Sequence, residues 1–248
     1  MKIIIVIPAR LNSTRLPEKM LADLDGLPLV ARTYRQAKKS QLATDVIVAA
    51  DDKKISDALA PFDCKTMLTP ASLKSGSDRV AFAAKKLHGD IFVNVQGDEP
   101  LIHPAMIDQA IEPLLNDKRA NCSTLVKPIT TGIDEMLKNP NVVKVALDRE
   151  RFALYFSRSP IPFQRNTDAK TTFYKHIGLY VYRRNTLLEF ASLRPTMLEK
   201  AESLEQLRLL EYGYRMKCVI TKYESRAVDT PEDLATVRAL LLAKRRSR

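Results

Sequence analysis

Residues 2–21 read KIIIVIPARLNSTRLPEKML, and the fold turns on how they are read. Ile3, Ile4, Ile5, Val6 and Ile7 form an unbroken β-branched run without polar alternation, the pattern of a strand buried on both faces of a parallel sheet. The run passes directly into a loop holding Arg10, Arg15 and Lys19. Phosphate-binding loops after a first strand are usually glycine-rich, because bare backbone amides must approach the anion. Here no glycine precedes Gly26. The loop is therefore either a solvated connection or a phosphate site built from side chains. In the second case two guanidinium groups offer forked hydrogen bonds, Lys19 a compact charge, and Asn12, Ser13 and Thr14 neutral donors.

Outward from this stretch, apolar runs alternate with helical periodicity. DVIVAA (45–50), CKTML (64–68) and DIFVNV (90–95) read as strands. Helical patterns lie over Leu29 to about Ser40, from about Lys53, and from Ser77 to Leu87. That alternation predicts a parallel α/β sheet with covered faces. Pro104 opens a helix to about Asn116. Beyond it NCSTLVKPI, NVVKVALD, KHIGLYVYR and KCVITKY read as strands, and two prolines break any ladder in RFALYFSRSPIPF. LEKAESLEQLRLLEYG is strongly helical with Gly213 as C-cap candidate. A last helix begins at VDTPEDL, with Thr230 as N-cap, Pro231 at the first helical position, and Glu232 and Asp233 at the positive end of the dipole.

The net charge of +11, from 40 basic and 29 acidic residues, favours an anionic partner such as nucleic acid, a membrane surface or a polyphosphate substrate. Part of it lies in the tail LLAKRRSR, which reads as a solvated terminus. Aromatics are only 6% and Trp is absent, so no aromatic platform for bases is visible and no nucleic-acid partner is expected. No apolar run reaches the roughly 20 residues that cross a bilayer. The first strand leads straight into a charged loop, unlike a signal peptide. A cytoplasmic protein without membrane insertion is expected. Cys64, Cys122 and Cys218 are odd in number and sit in apolar runs, as buried free thiols do. His88, His103 and His176 lack metal-ligand spacing.

Ligands of open α/β sheets bind beyond the carboxyl ends of strands, which directs attention to three loops. The first is the basic loop already described. The second is VNVQGDEP (93–100), which delivers Gln96, Gly97, Asp98 and Glu99; the glycine allows close backbone approach, and Asp98 suits a hard cation such as Mg²⁺. The alternative is a turn in which Asp98 caps the next helix. The third is Asp229, where helix capping competes with metal binding; a second carboxylate beside Asp98 favours the metal, since Mg²⁺ chemistry on a nucleotide wants two. SLKSGSDRV (72–80) could hold a base or sugar around Gly76, or be a plain N-cap by Ser75 or Ser77.

Taken together, IPARLNSTRLPEKML, SGSDR, VNVQGDEPLI, NPNVVKV, ALYFSRSPIPF, KHIGLYVYR, SLEQLRLLEYG and VDTPEDL resemble, in order and over essentially the whole chain, the 3-deoxy-manno-octulosonate (Kdo) branch of the nucleotide-sugar cytidylyltransferases. The resemblance implies a Rossmann-like nucleotidyltransferase α/β fold: a mostly parallel central sheet flanked by helices, with a small inserted dimerisation lobe. It implies one cytidylyltransferase domain, the nucleotide part at about 1–120 and 215–248 and the sugar-binding lobe at about 121–214. The implied activity is Mg²⁺-dependent transfer of CMP from CTP to the Kdo C2 hydroxyl, giving CMP-Kdo and pyrophosphate for lipopolysaccharide synthesis, by a homodimer. The alternatives are a related acid sugar as acceptor (8-amino-Kdo or sialic acid) or a non-catalytic, basic RNA-binding α/β protein.

By motif, Arg10, Arg15 and Lys19 match the triphosphate set, and Ser75, Gly76 and Ser77 the cytidine-proximal loop. Asp98 and Asp229 match metal ligands, one Mg²⁺ on Asp98 with phosphate oxygens and a second between Asp98 and Asp229. Gln96, Arg158, Arg165, His176, Tyr180, Glu205 and Gln206 match positions that line the sugar-acid pocket. His176 is expected on sugar hydroxyls, or as a satisfied core histidine. Two departures matter. Where the family commonly reads LPGKP, this chain has Glu18, whose carboxylate must point away from the phosphates or pair with a cation. Val181 replaces a frequent glycine.

Overall fold

The computed structural model describes residues 1–13, 15–166, 168 and 170–246. Thr14, one of the three neutral donors, lies outside the described residues, as do the last two residues of the basic tail. By its internal contacts the chain divides into two units, residues 1–108 with 224–248, and residues 109–223.

The first unit is built around β1 (Ile3–Ala9), every residue of which is buried. On one side runs β2 (Asp45–Ala50), with Val6 opposite Ile47, and beyond it β3 (Thr66–Leu68). On the other side runs β4 (Ile91–Asn94), with Ile5 opposite Val93. All these pairs are parallel, so the unit's strand order is β3-β2-β1-β4. Parallel neighbours need crossovers, supplied by α1 (Leu29–Ala37), α2 (Lys53–Leu59) and α3 (Gly76–Lys86). Helix α1 buries Leu29, Val30, Thr33, Tyr34 and Ala37, a helical stripe packed on β1 and β2. This is the expected α/β arrangement, with helices against a parallel sheet.

The strand order matters for function. The chain moves outward from β1 to β2 and β3, then returns to the far side of β1 as β4. The loops leaving β1 and β4 therefore diverge at a topological switch point, where a crevice opens at the carboxyl ends of the strands. The returning segment supplies Asp229 and then α9 (Pro231–Arg246). Thr230 caps that helix as expected: its hydroxyl accepts from Asp233 N at 3.2 Å, and the Asp233 carboxylate accepts from Thr230 N at 2.9 Å. Because Thr230 is the cap, Asp229 is left to face elsewhere.

Helix α4 (Pro104–Asn116) leads into the second unit. There β5 (Cys122–Pro128) pairs parallel with β9 (Met216–Ile220) and antiparallel with β8 (Tyr174–Arg183), with a bulge between Thr124 and Leu125. β6 (Lys144–Leu147) pairs with both β7 (Ala153–Ser157) and β8. Short helices α5 (Ile133–Lys138), α6 (Arg184–Phe190), α7 (Met197–Glu202) and α8 (Gln206–Glu211) complete the unit. The helical stretch over 198–213 is thus two helices rather than one. Ser203 takes a left-handed conformation (φ 51°) between them, and Arg208 Nε donates to Glu199 Oε2 at 2.7 Å. Residues nine apart on a continuous helix point in opposite directions, so this half-buried ion pair exists only because the helix breaks. Gly213 follows α8 at φ 81°, the left-handed stop predicted for it. Cys64, Cys122 and Cys218 are all free and buried. Among the described residues no helix is long and apolar enough to cross a membrane.

Candidate functional site

The switch-point crevice in the first unit is a cavity of about 400 Å³ whose wall includes Arg10, Arg15, Lys19, Gly76, Asp98 and Asp229. Four segments far apart in sequence therefore meet there. Each is positioned by hydrogen bonds traceable to particular residues. Leu11 N donates to Asp51 Oδ1 at 2.8 Å, tying the start of the basic loop to the end of β2. Arg10 donates to the Lys74 carbonyl, which joins that loop to the segment before α3. Ser75 caps α3 in a reciprocal box with Asp78; the capping reading holds for Ser75, while Gly76 still lines the cavity. Gly97 is held from below, since buried Thr33 donates its hydroxyl to the Gly97 carbonyl at 2.9 Å. A methyl group at Gly97 would stand 2.7 Å from the Pro8 carbonyl oxygen. Its close approach is to the end of β1, a packing requirement not anticipated from the motif.

Lys19 lies at the centre. Its side chain is only 9% exposed, and Nζ donates to Asp98 Oδ2 at 2.6 Å and Asp229 Oδ1 at 2.9 Å. Burial opposes the ammonium charge, but the two carboxylates outweigh it and raise the pKa above the ordinary lysine value. Arg15 Nη2 reaches the same Asp229 oxygen at 3.1 Å. Asp98 and Asp229 are thereby brought to a common point, and neither serves as a helix cap. Glu99, the second acid of the QGDEP motif, plays a different part: burial pushes its carboxyl up to about 7, with the neighbouring Asp98 charge adding to the shift.

Two residues that hold the site were not singled out from sequence. Arg79, the last residue of SGSDR, is 1% exposed. Its guanidinium donates to Thr69 Oγ1 at 2.7 Å and to the carbonyls of Pro70 and Leu73, and it pairs with Asp51 Oδ2 at 3.3 Å. The chain Arg79–Asp51–Leu11 fixes the basic loop to the loop before α3. The signal was available: an arginine three residues after the serine-glycine cap, leading into the apolar run Val80–Ala84, needs a buried partner.

In the second unit the structure gathers His176, Tyr180 and Gln206. The His176 ring lies 2.9 Å from Thr124 Oγ1 and meets Phe156 edge-on at 5.0 Å. Burial drives its pKa down to about 3, so the imidazole is neutral. Tyr180 donates to Gln206 Oε1 at 3.2 Å, and its own pKa is raised by burial. Gln206 is 4% exposed, yet its Nε2 has no hydrogen-bond partner among the described residues. Glu205 precedes it at the start of α8. Arg158 spends its donors on the carbonyls of Glu202, Pro140 and Ser203, at 2.7, 2.8 and 3.4 Å, which fastens the turn in front of Glu205. Arg165 lies on the exposed segment after Pro162. Val181 is fully buried on β8 opposite Ser123, a core position. Gln96 belongs to the first unit, where Nε2 donates to Asn94 Oδ1 at 3.3 Å and the side chain lines the cavity.

A family model described as Cytidylyltransferase matches residues 4–221. The chain belongs to the cytidylyltransferase family. Among curated cytidylyltransferases, the 3-deoxy-manno-octulosonate cytidylyltransferase of Chloroherpeton thalassium is 59% identical over 98% of this chain and 99% of its own length. That of Chlorobium limicola is 53% identical over 97% and 98%. A solved CMP:2-keto-3-deoxy-manno-octonic acid synthetase complexed with CTP superposes with a TM-score of 0.93, at 38% identity, covering 98% of this chain and all of the other. A 4-diphosphocytidyl-2C-methyl-D-erythritol synthase from Anaerococcus prevotii shares the fold alone, with a TM-score of 0.63 at 14% identity.

Against the cytidylyltransferase pattern, Glu18 is the departure nearest the site. It takes a left-handed conformation (φ 50°, ψ 32°), which a glycine adopts without steric cost. Its carboxylate turns to an exposed ion pair with Lys54 on α2. The condition placed on it by the sequence, pairing with a cation, is met.

Proposed function

We propose that this chain transfers CMP from CTP to the C2 hydroxyl of Kdo, releasing pyrophosphate, in the supply of activated Kdo for lipopolysaccharide. The observation that carries the nucleotide half of this reading is the meeting of Lys19 with Asp98 and Asp229 in one cavity with Arg10 and Arg15. The acceptor rests on full-length similarity to relatives named for that sugar.

Phosphoryl transfer asks a protein mainly for positioning and charge neutralisation. Arg10, Arg15 and Lys19 bind the triphosphate and stabilise the charge that builds on departing pyrophosphate. Arg10 is already aimed by its bond to the Lys74 carbonyl. Ser75, Gly76 and Ser77 flank the cytidine. Two hard carboxylate oxygens within 3 Å of one ammonium suit Mg²⁺, which takes oxygen ligands and completes its shell from phosphates and water. Bound by Asp98 and Asp229, Mg²⁺ would neutralise phosphate charge and favour ionisation of the attacking hydroxyl. His176 is a poor base with its pKa near 3; with Tyr180, Glu205 and Gln206 it orients the sugar acid. The unpartnered Gln206 Nε2 is a donor for a sugar oxygen. By their place in the family's motifs, Gln96, Arg158, through the turn it fastens, and Arg165 are also assigned to the sugar acid.

We assign residues of the first unit to nucleotide binding and the second to the sugar-binding and dimerisation lobe. A homodimer through the second unit is supported by exposed Leu154, Phe163 and Met197; sedimentation as a monomer at all concentrations would remove it. The three buried free thiols accord with a reducing, cytoplasmic setting.

Pyrophosphate release from CTP and Mg²⁺, assayed in parallel with Kdo, 8-amino-Kdo and sialic acid, tests the reading. Kdo should give the fastest release. Asp98→Ala should fold normally and lose roughly a hundredfold or more in turnover. Near-normal release by that folded variant would refute the assignment of Asp98.

A further inference from the structure

Lys19 stands where the metal pair would be occupied. Its ammonium is 2.6 Å from Asp98 and 2.9 Å from Asp229, and Arg15 shares the same oxygen of Asp229. Two carboxylates are thus matched by two cations of the protein itself. We propose that Lys19 is a placeholder cation: it closes the Asp98–Asp229 pair to free divalent ions and yields it only when a nucleoside triphosphate takes the ammonium. The inference rests on the assignment of Asp98 and Asp229 as the metal-binding pair.

The physical argument is one of partner exchange. A divalent ion arriving alone must displace a nearly buried ammonium from both carboxylates. That strands Lys19 beside the incoming ion without a counter-charge, and a low-dielectric setting makes the stranding costly. A triphosphate changes the balance. It brings the anionic oxygens that Lys19 and Arg15 need, into the same cavity of about 400 Å³ that all these groups line. Lysine moves from carboxylate to phosphate, the divalent ion moves onto the carboxylates, and every charge stays paired. The backbone need not move: Lys19 N is bonded to the Leu16 carbonyl at 3.1 Å and Ala22 N to the Lys19 carbonyl at 3.1 Å, while the four-carbon stem can swing. Metal and nucleotide then enter as a pair, and the protein without nucleotide disfavours the metal.

The test reads metal binding directly, without turnover. Free Mn²⁺ is followed by electron paramagnetic resonance while full-length protein is titrated in the absence of nucleotide. Wild type should bind weakly. Lys19→Met and Lys19→Gln should each bind one Mn²⁺ per chain roughly tenfold tighter or more, the factor expected when a site occupied about nine-tenths of the time is freed. Adding Asp98→Asn to Lys19→Met should abolish the gain. Wild type binding Mn²⁺ as tightly as the single variants would overturn the placeholder while leaving the metal pair standing. A gain that survives Asp98→Asn would overturn the metal assignment itself. A measurement on wild type alone covers the case of variants that do not fold. Mg²⁺ by itself should leave Tm unchanged, whereas Mg²⁺ with a non-hydrolysable CTP analogue should raise it. A rise with Mg²⁺ alone would overturn the proposal.

Discussion

Glu18 pays a backbone penalty of about 1–2 kcal/mol for its left-handed conformation, since its Cβ crowds the following carbonyl. Replacing it with glycine relieves that strain. The same change adds unfolded-chain entropy of about 0.5–1 kcal/mol and loses an exposed ion pair worth about 0–1 kcal/mol. The terms nearly cancel, so Glu18→Gly should leave stability within about 1 kcal/mol of wild type. Glu18→Val keeps the strain, adds β-branching, and should destabilise by about 1–2 kcal/mol; paired denaturant melts would show the contrast. At the residue scale, what was legible in the sequence was position along the chain. Arg10, Arg15, Lys19 and Asp98 stand beside one cavity because each occupies a loop at the end of a buried strand. What sequence reading missed at this scale were Asp51, Lys54 and Arg79, whose partners lie 28 to 40 residues away. A local pattern can show that Arg79 needs a partner, but none names which residue it is.

Among the elements, β1 and β4 decide the site, because their carboxyl ends flank the switch point. Gly97 is the contact between them. A methyl there would meet the backbone oxygen of Pro8 at 2.7 Å, and backbone cannot rotate aside as a side chain can. Gly97→Ala should therefore destabilise by about 1–3 kcal/mol and raise the KM for CTP, because Asp98 follows directly. Unaltered Tm and KM would show that the β4 loop accommodates the methyl. Strand and helix positions in the first unit were legible because parallel strands are apolar throughout and the intervening helices have a clear stripe. The second unit was less so. Helix α5 is six residues long with none buried, so it carries no periodic signal, and the break at Ser203 follows from the distant pair Glu199–Arg208.

For the molecule as a whole, two half-buried, desolvated groups with opposed shifts shape stability against pH. His176 has its pKa lowered to about 3, so the folded state refuses a proton that the unfolded chain accepts near 6.5. Stability from this source is complete above about 6.5 and is lost as pH falls toward 3. Glu99 has its pKa raised to about 7. The folded state keeps a proton that the unfolded chain releases, so stability declines as pH rises from about 4.5 to 7. Each effect is on the order of a few kcal/mol at most. Melts of the nucleotide-free protein should show His176→Gln flattening the acid limb and Glu99→Gln gaining relative stability above pH 7. An unchanged acid limb in His176→Gln would show that this imidazole is not desolvated.

The sequence by itself determined the α/β class, the strand-end placing of the basic and acidic loops, and the family. Those follow from local rules: the period of apolar residues, the chemistry of caps, and a run of motifs in fixed order. Only the tertiary structure decided that Lys19 joins Asp98 to Asp229, that Thr230 frees Asp229 from capping, and that Glu18 turns to Lys54. These depend on where segments up to 210 residues apart come to lie. Electrostatic pairing acts over a few ångströms of space, whereas sequence patterns report neighbours along the chain.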